Sequence, residues 1–318
     1  MHKRIIAFIF FFVSTASMAQ LRWTNVDEAF GLNHPGIHVF RSTDSLGNMP
    51  SIAYYVVADL ADKSLRINTD TTLLRRITPS AYFERNQHPL VVVNGTFFDL
   101  KTSQNLDVVM TRGKLVSYNV NSTALKGKDT FLYRYTTRAA IGIKKNGKAD
   151  AAWLYSDSSA RYPIAYQDKP PMWKGNGNEY TKKQFDAHAG VNGKRWKMYT
   201  AIGGGPMLVQ DGKIRITNNE EVMFTGKAID DRHPRTVIGY TRDQKLIILA
   251  VEGRNKGVAE GATLTQLAEI MISLGCVEAL NLDGGGSSCL LVNGRETIKP
   301  SDKTGQRPVP AVLLIGNQ

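Results

Sequence analysis

Only residues 263–274 carry a strong amphipathic helical pattern, and this scarcity of helix most constrains the fold. Apolar side chains recur there at helical spacing, and Gly275 follows as a C-terminal cap. Most other apolar segments are short, rich in branched or aromatic side chains, and separated by turn residues. Because so many strands are joined by short turns, an all-parallel α/β sheet is disfavoured. The sequence predicts a single α+β domain, rich in mixed β-sheet, with a few packed helices.

Local patterns predict several elements along the chain. Residues 52–60 and 65–67 are expected to form paired strands, and residues 90–93 a buried strand that stops at Asn94-Gly95. Thr78-Pro79 predicts the start of a short helix that ends near Phe83. Hairpins are expected at three Gly-Lys turns, 112–114, 146–148 and 211–213. Residues 161–195 lack a sustained period and are predicted to form a long excursion that builds one wall of a binding site.

Composition excludes several classes of protein. With 318 residues, 42% apolar and 21% charged, the chain can bury a large hydrophobic core, which excludes disordered, collagen-like and disulfide-scaffold proteins. The cysteines are Cys276 and Cys289, and their spacing does not decide between a disulfide and two buried thiols.

The first residues have the pattern of a secretory signal peptide. Basic residues precede an apolar run over residues 5–13, which is too short to span a bilayer, and Ser17-Met18-Ala19 predicts cleavage before Gln20. We therefore expect residues 1–19 to be a signal peptide, residues 20–49 an N-terminal extension and residues 50–318 the main domain. The expected location is periplasmic or secreted, with no transmembrane segment.

The formal net charge of +12 makes an anionic partner plausible. The basic residues are scattered in pairs such as Arg75-Arg76, without interleaved aromatic side chains, so a nucleic-acid partner is not expected. The sequence does not indicate an oligomeric state. P-loop, serine-hydrolase and zinc-protease motifs are also missing.

Four segments share one design, in which an apolar strand meets a turn crowded with small or hydrogen-bonding residues. They are residues 94–99, 203–206, 230–236 and 281–288. Successive glycines let the backbone approach a ligand closely and let several N–H groups point to one side. Such a nest suits a phosphate, although a glycine turn alone mostly serves chain geometry.

The third segment predicts a cationic face. Pro234 favours an extended conformation at His233, so His233 and Arg235 should lie on one face of the chain and Arg232 on the other. Two donors on one face can grip a phosphate through charge-assisted hydrogen bonds. A surface arginine and a structural histidine are the alternative interpretations of these residues.

Carboxylates complete the predicted site. Asp283 follows a buried strand and precedes three glycines, so it can act as a base, a nucleophile or a cation ligand, or simply cap its own turn. Glu252 follows the strand 246–250 and can supply the second carboxylate that glycoside hydrolysis needs. Asp99 orients the Asn94 turn or binds a metal ion.

Taken together, the motifs Asn94-Gly95-Thr96-Phe97-Phe98, Gly203-Gly204-Gly205-Pro206, Arg232-His233-Pro234-Arg235-Thr236 and Asn281-Leu282-Asp283-Gly284-Gly285-Gly286-Ser287-Ser288 resemble those of the phosphodiester glycosidase family, in the same order. The resemblance runs from about Ile52 to the C-terminus, with Thr96 where the family often has another glycine. It implies that a sugar is removed from a sugar-1-phosphodiester, in a glycan or an envelope component, by cleavage at the anomeric carbon.

We assign roles to residues in these motifs and to Glu252 as a hypothesis compatible with the resemblance. The catalytic candidates are Asp283, Glu252 and His233; the substrate-binding candidates are Asn94, Gly204, Gly205, Arg232, Arg235, Thr236, Gly284, Gly285 and Ser287. No cofactor is required by this scheme, but a calcium ion is possible, with Asp99, Asp230 and Asp231 as weak ligand candidates. A phosphodiesterase that cuts the P–O bond, and a noncatalytic carbohydrate-binding protein that uses the aromatic segment 162–196, are the alternative functions.

Overall fold

The computed structural model describes residues 21–227 and 229–318. The predicted signal peptide lies outside these residues. Within the described part, no helix is both long enough and apolar enough to cross a membrane.

Short strands account for most of the regular structure. In chain order they are β1 (Thr24–Asn25), β2 (Ile37–Ser42), β3 (Ala53–Asp59), β4 (Leu65–Thr71), β5 (Val91–Asn94), β6 (Val109–Thr111), β7 (Lys114–Ser117), β8 (Ser122–Ala124), β9 (Tyr133–Tyr135), β10 (Arg138–Ile143), β11 (Ala149–Tyr155), β12 (Ile164–Tyr166), β13 (Trp173–Gly175), β14 (Lys194–Arg195), β15 (Thr200–Gly203), β16 (Met207–Gln210), β17 (Lys213–Ile214), β18 (Arg235–Thr241), β19 (Lys245–Val251), β20 (Cys276–Asn281), β21 (Leu290–Val292), β22 (Arg295–Glu296) and β23 (Ala311–Asn317).

The described residues also form three α-helices: α1 (Pro79–Arg85), α2 (Lys182–Ala189) and α3 (Leu264–Ser273). The start of α1 at Thr78-Pro79 is confirmed, because the Thr78 hydroxyl accepts a hydrogen bond from the Ala81 amide. The prediction of α3 is confirmed too, and its N-terminus is closed by a capping box between Thr263 and Gln266. Helix α2 was not expected; its weak apolar periodicity hid it within residues 161–195.

The strands form two large and two smaller sheets. Their orders are β1-β2-β3-β19-β18-β20-β16-β17, β14-β12-β11-β10-β15-β6-β7, β22-β21-β5-β23-β4 and β13-β9-β8. The α+β class with few helices is confirmed. One detail of the prediction is corrected: all strand pairs in the described residues are antiparallel rather than mixed. Short hairpins account for this, and the three predicted Gly-Lys turns join β6 to β7, β10 to β11 and β16 to β17.

The expected pairing of residues 52–60 with 65–67 is wrong. Strand β3 pairs with β2 and β19 in the eight-stranded sheet, whereas β4 pairs with β23 in the five-stranded sheet. The polar turn between β3 and β4 therefore carries the chain from one sheet to the other. Local patterns identify both strands but do not identify their partners.

One continuous core lies between the large sheets and the five-stranded sheet, with contributions from β3, β10, β19 and β23. Helix α3 covers the other face of the eight-stranded sheet, where Leu264, Leu267 and Met271 are fully buried. Residues 24–42 of the predicted N-terminal extension supply β1 and β2 to this sheet, and Ile37 and Val39 are fully buried there. The two cysteines are buried and unpaired.

Candidate active site

Strand ends from three parts of the chain are tied together around Asn94, the last residue of β5. Asn94 is fully buried; its Nδ2 donates to the Asp283 carbonyl at 2.7 Å, and its Oδ1 accepts from the Thr236 hydroxyl at 2.8 Å and the Cys289 amide at 3.0 Å. The amide oxygen and one donor are thus used within the protein. Asn94 and Thr236 therefore position the Asp283 turn, and their contact with substrate stays a prediction.

The Asp283 carboxyl group has an unusual protonation equilibrium. The pKa of Asp283 is raised to about 7, mainly by burial and in smaller part by the negative charge of Asp107. Ser287, Arg307 and the Gly284 amide, which donates to Asp283 Oδ1 at 3.0 Å, partly offset this rise in pKa. Near neutral pH the group therefore exists in both protonation states, as a catalytic acid or base must.

The neighbouring carboxylate is Asp107, which the sequence analysis missed. Asp107 is fully buried, and burial raises its pKa although Arg138 opposes the rise. Its Oδ1 accepts from the Arg138 guanidinium at 3.1 Å and its Oδ2 accepts from the Phe97 amide at 2.9 Å. No recognisable sequence motif surrounds Asp107. The tertiary structure alone brings it near the Asp283 turn.

Glu252 has a different environment from the one predicted. Its Oε1 accepts from Asn255 Nδ2 at 3.0 Å, and its Oε2 accepts from the Lys299 amide at 2.9 Å. Both carboxylate oxygens therefore hold loop segments in place. Both oxygens of Asp107 are engaged as well, so what favours Asp107 as the second carboxylate is that its charge acts on Asp283, whereas no such coupling links Glu252 to Asp283.

Arg232 and Arg235 have different surroundings, as expected if they lie on opposite faces of the extended chain. Arg232 donates to the carbonyls of Gly261 at 3.0 Å and Leu46 at 2.9 Å, so it ties two loops together, a role that disfavours its predicted phosphate contact. Arg235 is buried, and burial lowers its pKa to about 10. Its Nε donates to the Ala262 carbonyl at 3.2 Å, and its guanidinium lies over the Phe224 ring.

His233 lies beside the cations of this cluster. Burial lowers the pKa of His233, and the positive charges of Arg235 and Arg254 lower it further. The imidazole is therefore neutral near pH 7 and offers a hydrogen bond rather than a charge. The His233 backbone is held in place by a two-way hydrogen-bonded bridge with Ala262.

The amides of the predicted nest are hydrogen-bonded within the protein, so phosphate binding by them stays a prediction that these contacts do not favour. Each of the four N–H groups has an acceptor within the protein: Gly204 donates to Ala139, Gly205 to Asn281, Gly284 to Asp283 and Gly285 to Pro234. These glycines serve close packing instead. A Cβ on Gly204 would lie 2.5 Å from the Asn281 carbonyl oxygen, and one on Gly284 would lie 2.9 Å from that of Pro234.

Other groups around Asp283 are available for a ligand. The buried hydroxyl of Ser288 and the Nε of Arg138 have no hydrogen-bond partner among the described residues, whereas the Ser287 hydroxyl acts on the Asp283 carboxylate. Arg307, held by two hydrogen bonds to Asp302 at 2.7 and 2.8 Å, packs on Gly286, and Arg254 packs on Gly285. None of these three arginines belongs to the candidate residues that the sequence indicates.

The three candidate calcium ligands do not form a site. Asp99 Oδ1 accepts from the amides of Lys101 at 2.8 Å and Thr102 at 2.7 Å, so Asp99 closes its own turn. Within the described residues, no group of three or more histidine, cysteine or acidic residues is arranged to hold a metal ion. The residues present therefore do not fit calcium at this position.

A cavity of about 500 Å³ lies away from these groups, lined by Lys63, Arg66, Lys145 and Tyr199 among others. It sits at the Thr200 end of β15, whereas Gly203 at the other end of that strand faces Asp107. The candidate chemistry belongs to the Asp283 cluster, because carboxyl groups with shifted pKa and unpartnered donors converge there.

Comparison with known proteins gives one family. Residues 87–316 match the model of the phosphodiester glycosidase family. The chain is 37% identical over 111 residues to an uncharacterized prophage-derived protein, YomE, of Bacillus subtilis, a match that covers 35% of this chain and 16% of YomE. It is 25% identical over 213 residues to mouse N-acetylglucosamine-1-phosphodiester alpha-N-acetylglucosaminidase, covering 67% of this chain and 33% of the mouse protein. The chain thus spans a third or less of these relatives.

Solved structures share the fold. The catalytic domain of the zebrafish N-acetylglucosamine-1-phosphodiester alpha-N-acetylglucosaminidase superposes with a TM-score of 0.58 at 21% identity, covering 90% of this chain and 85% of that domain. A hypothetical protein from Synechocystis superposes with a TM-score of 0.66 at 16% identity, covering 93% of this chain and 64% of that protein.

Proposed function

Because this chain belongs to the phosphodiester glycosidase family, we propose that it is a hydrolase that removes a sugar from a sugar-1-phosphodiester by cleavage at the anomeric carbon. The observation that supports this proposal is the pair of neighbouring carboxyl groups, Asp283 and Asp107, surrounded by the guanidinium groups of Arg138, Arg254 and Arg307. Two carboxyl groups meet the usual requirement of glycoside hydrolysis, and arginine suits a phosphate.

In this proposal Asp283 acts on the sugar side. Its pKa of about 7 lets it accept a proton from an attacking water, or attack the anomeric carbon itself, in its ionised form. Asp107 stays beside it, held by Arg138 and the Phe97 amide. Glycosidic cleavage needs little help for the leaving group, because a phosphate monoester has a second pKa of about 6 and departs as a stable anion.

The phosphate side is assigned to the cations and the hydroxyl at the glycine turn. Arg254 and Arg307 lie over this turn, with Arg307 oriented by Asp302, and the buried Ser288 hydroxyl has no hydrogen-bond partner among the described residues. Their charge and hydrogen bonds would stabilise the phosphate as its negative charge grows in the transition state. Neutral His233 can donate a hydrogen bond to the phosphate without adding another positive charge to the site.

Product analysis tests the reaction. The protein would be incubated with soluble sugar-1-phosphodiesters that differ in sugar and aglycone, and we expect free reducing sugar together with an intact phosphate monoester. Sugar 1-phosphate would instead mean P–O cleavage and contradict the proposal. Saturable binding without any product, unaffected by loss of Asp283, would indicate a carbohydrate-binding protein.

The identity of the second carboxylate is tested by two matched variants. We expect Asp107→Asn to lower kcat at least 100-fold, because the group beside Asp283 loses its charge. Glu252→Gln should change kcat less than about tenfold, because Glu252 contacts loop backbone and Asn255. Circular dichroism and thermal melting would confirm that both variants fold. The reverse ranking of the two variants would restore Glu252 as the catalytic partner.

Metal independence is tested by chelation. We expect full activity and an unchanged Tm after treatment with EDTA, because Asp99 closes its own turn and, among the described residues, no group of three or more histidine, cysteine or acidic residues is arranged to hold a metal ion. Loss of activity that calcium restores, but magnesium does not, would show an essential calcium site.

We further propose that the protein acts after export, on the basis of the pattern in residues 1–19. N-terminal sequencing of the protein recovered from cells would be expected to start at Gln20.

A further inference from the structure

Three leucines near the candidate active site are strongly exposed. Leu73 is 87%, Leu74 61% and Leu100 62% exposed, on the loops 72–77 and 97–105. The two loops touch: Asn105 Nδ2 donates to the Thr71 hydroxyl at 2.9 Å, and the Arg76 guanidinium lies 5.3 Å from the centre of the Phe98 ring. Single exposed leucines are ordinary, but three on adjoining loops form an apolar patch that needs a partner. We call Leu73, Leu74 and Leu100 the leucine rim.

The backbone at this rim is strained. Leu74 has a φ of +50°, in the left-handed region that residues other than glycine, asparagine and aspartate seldom adopt. The cost of this conformation is not repaid by burial, because the Leu74 side chain lies mostly in solvent. Strain of this kind persists where function requires the conformation.

Positive charge accompanies the leucine rim. Arg75 and Arg76 follow Leu74, and Lys101 follows Leu100. None of the three forms an ion pair with another described residue. Apolar side chains flanked by unpaired cations are typical of surfaces that lie in the interface of an anionic bilayer. A second copy of this chain would present the same positive charge and is disfavoured as the occupant.

The leucine rim borders the candidate site. The loop 97–105 begins at Phe97, whose amide donates to Asp107. The loop 72–77 begins after Thr71, which pairs with Ala311, and the Ala311 carbonyl accepts from the Gly95 amide beside Asn94. The surface of any partner bound to the leucine rim would therefore lie next to the candidate active site.

We propose that the leucine rim docks this protein onto an anionic phospholipid bilayer, and that its substrate is a sugar-1-phosphodiester whose aglycone is a membrane lipid. The substrate part of this inference rests on the proposed function. Insertion of the leucines would hold the site at the depth of the lipid headgroups, where the phosphodiester bond of such a substrate lies.

The test measures binding and activity separately. The full-length mature protein would be sedimented with vesicles of equal parts phosphatidylglycerol and phosphatidylcholine, and with vesicles of phosphatidylcholine alone. We compare the wild type with the triple variant Leu73→Ser, Leu74→Asn, Leu100→Ser, in which asparagine tolerates the left-handed backbone at position 74. The matched control is Val191→Ser with Ile214→Ser, two exposed apolar residues on other parts of the surface.

We expect binding to the anionic vesicles that weakens at least tenfold in the triple variant, is unchanged in the control and falls as salt is raised. The kcat/KM for a water-soluble sugar phosphodiester should be the same in all three proteins, whereas turnover of a glycosyl phospholipid in the vesicles should fall with binding in the triple variant.

Several outcomes would overturn the inference. These are no vesicle binding by the wild type, equal binding by the wild type and the triple variant, or dimerisation that the triple variant abolishes in the absence of vesicles. Failure of the proposed function is distinguishable, because vesicle binding that depends on the leucine rim, without hydrolysis of any phosphodiester, would contradict the reaction and leave the docking surface standing.

Discussion

Asp283→Asn is expected to lower kcat by about 1,000-fold or more and, at the same time, to stabilise the fold at alkaline pH. The loss of activity follows from removing the group that serves as base or nucleophile at the anomeric carbon. In the wild type we expect kcat/KM for a soluble substrate to rise with pH through about 7, as Asp283 ionises.

The gain in stability follows from the sign of the pKa shift. The folded-state pKa of Asp283 is raised to about 7 from a usual value near 4, so the fold favours the protonated form. This contribution is fully present below about pH 4 and is lost as the pH rises through about 7. Asparagine cannot ionise, so at pH 8 the free energy of unfolding of the variant should exceed that of the wild type. We expect a difference of about 2 to 4 kcal/mol. This is less than the free energy equivalent to the whole pKa shift, because the Asp283 side chain is partly exposed.

Thermal melting at pH 4 and pH 8 checks this, with Asp99→Asn as the matched control. The pKa of Asp99 is lowered by hydrogen bonds from the Thr102 amide and hydroxyl, so its substitution should destabilise the protein at pH 8 rather than stabilise it. Near-normal turnover by Asp283→Asn would remove Asp283 from the mechanism. A Tm difference between wild type and Asp283→Asn that is equal at pH 4 and pH 8 would show that titration of Asp283 is not its cause.

Gly261→Ala is expected to destabilise the fold by more than about 3 kcal/mol. Gly261 has a φ of +95°, and a Cβ there would lie 2.5 Å from the carbonyl oxygen and 2.6 Å from the carbonyl carbon of His233. The obstacle is backbone in a hydrogen-bonded bridge, so a rotamer change cannot relieve it. The His233-Pro234 segment must move, and because the Pro234 carbonyl accepts from the Gly285 amide at 2.8 Å, the Asp283 turn would move with it.

Gly257→Ala separates backbone strain from the steric clash. Gly257 also has a positive φ, of +75°, but a Cβ there would meet no atom within 4 Å, so we expect a loss of only about 1 kcal/mol and normal kcat/KM. Urea unfolding at neutral pH measures both variants. Equal losses in the two would mean that the segment around His233 adjusts freely, contrary to the structure.

Local elements were predictable because their causes lie within a few residues. The capping box that starts α3 joins Thr263 and Gln266, three positions apart, and the Gly-Lys turns close hairpins whose strands are adjacent in sequence. The position of Asp283 between a buried strand and three glycines marked it as a site residue in the same way.

Strand partners and hydrogen-bond capacity were decided only by the tertiary structure. Asp107 and Arg307, in loops, and Arg138, at the start of β10, reach the Asp283 cluster from distant parts of the chain, and no local pattern marks them. In the same way, nothing in the sequence shows that the glycine amides and the Asn94 side chain are already hydrogen-bonded. In the structure their partners are carbonyls, a hydroxyl and an amide that are mostly distant in sequence. A residue's chemical type and backbone preference are properties of the local sequence, whereas the groups that bind it and the water it loses depend on neighbours supplied by the fold.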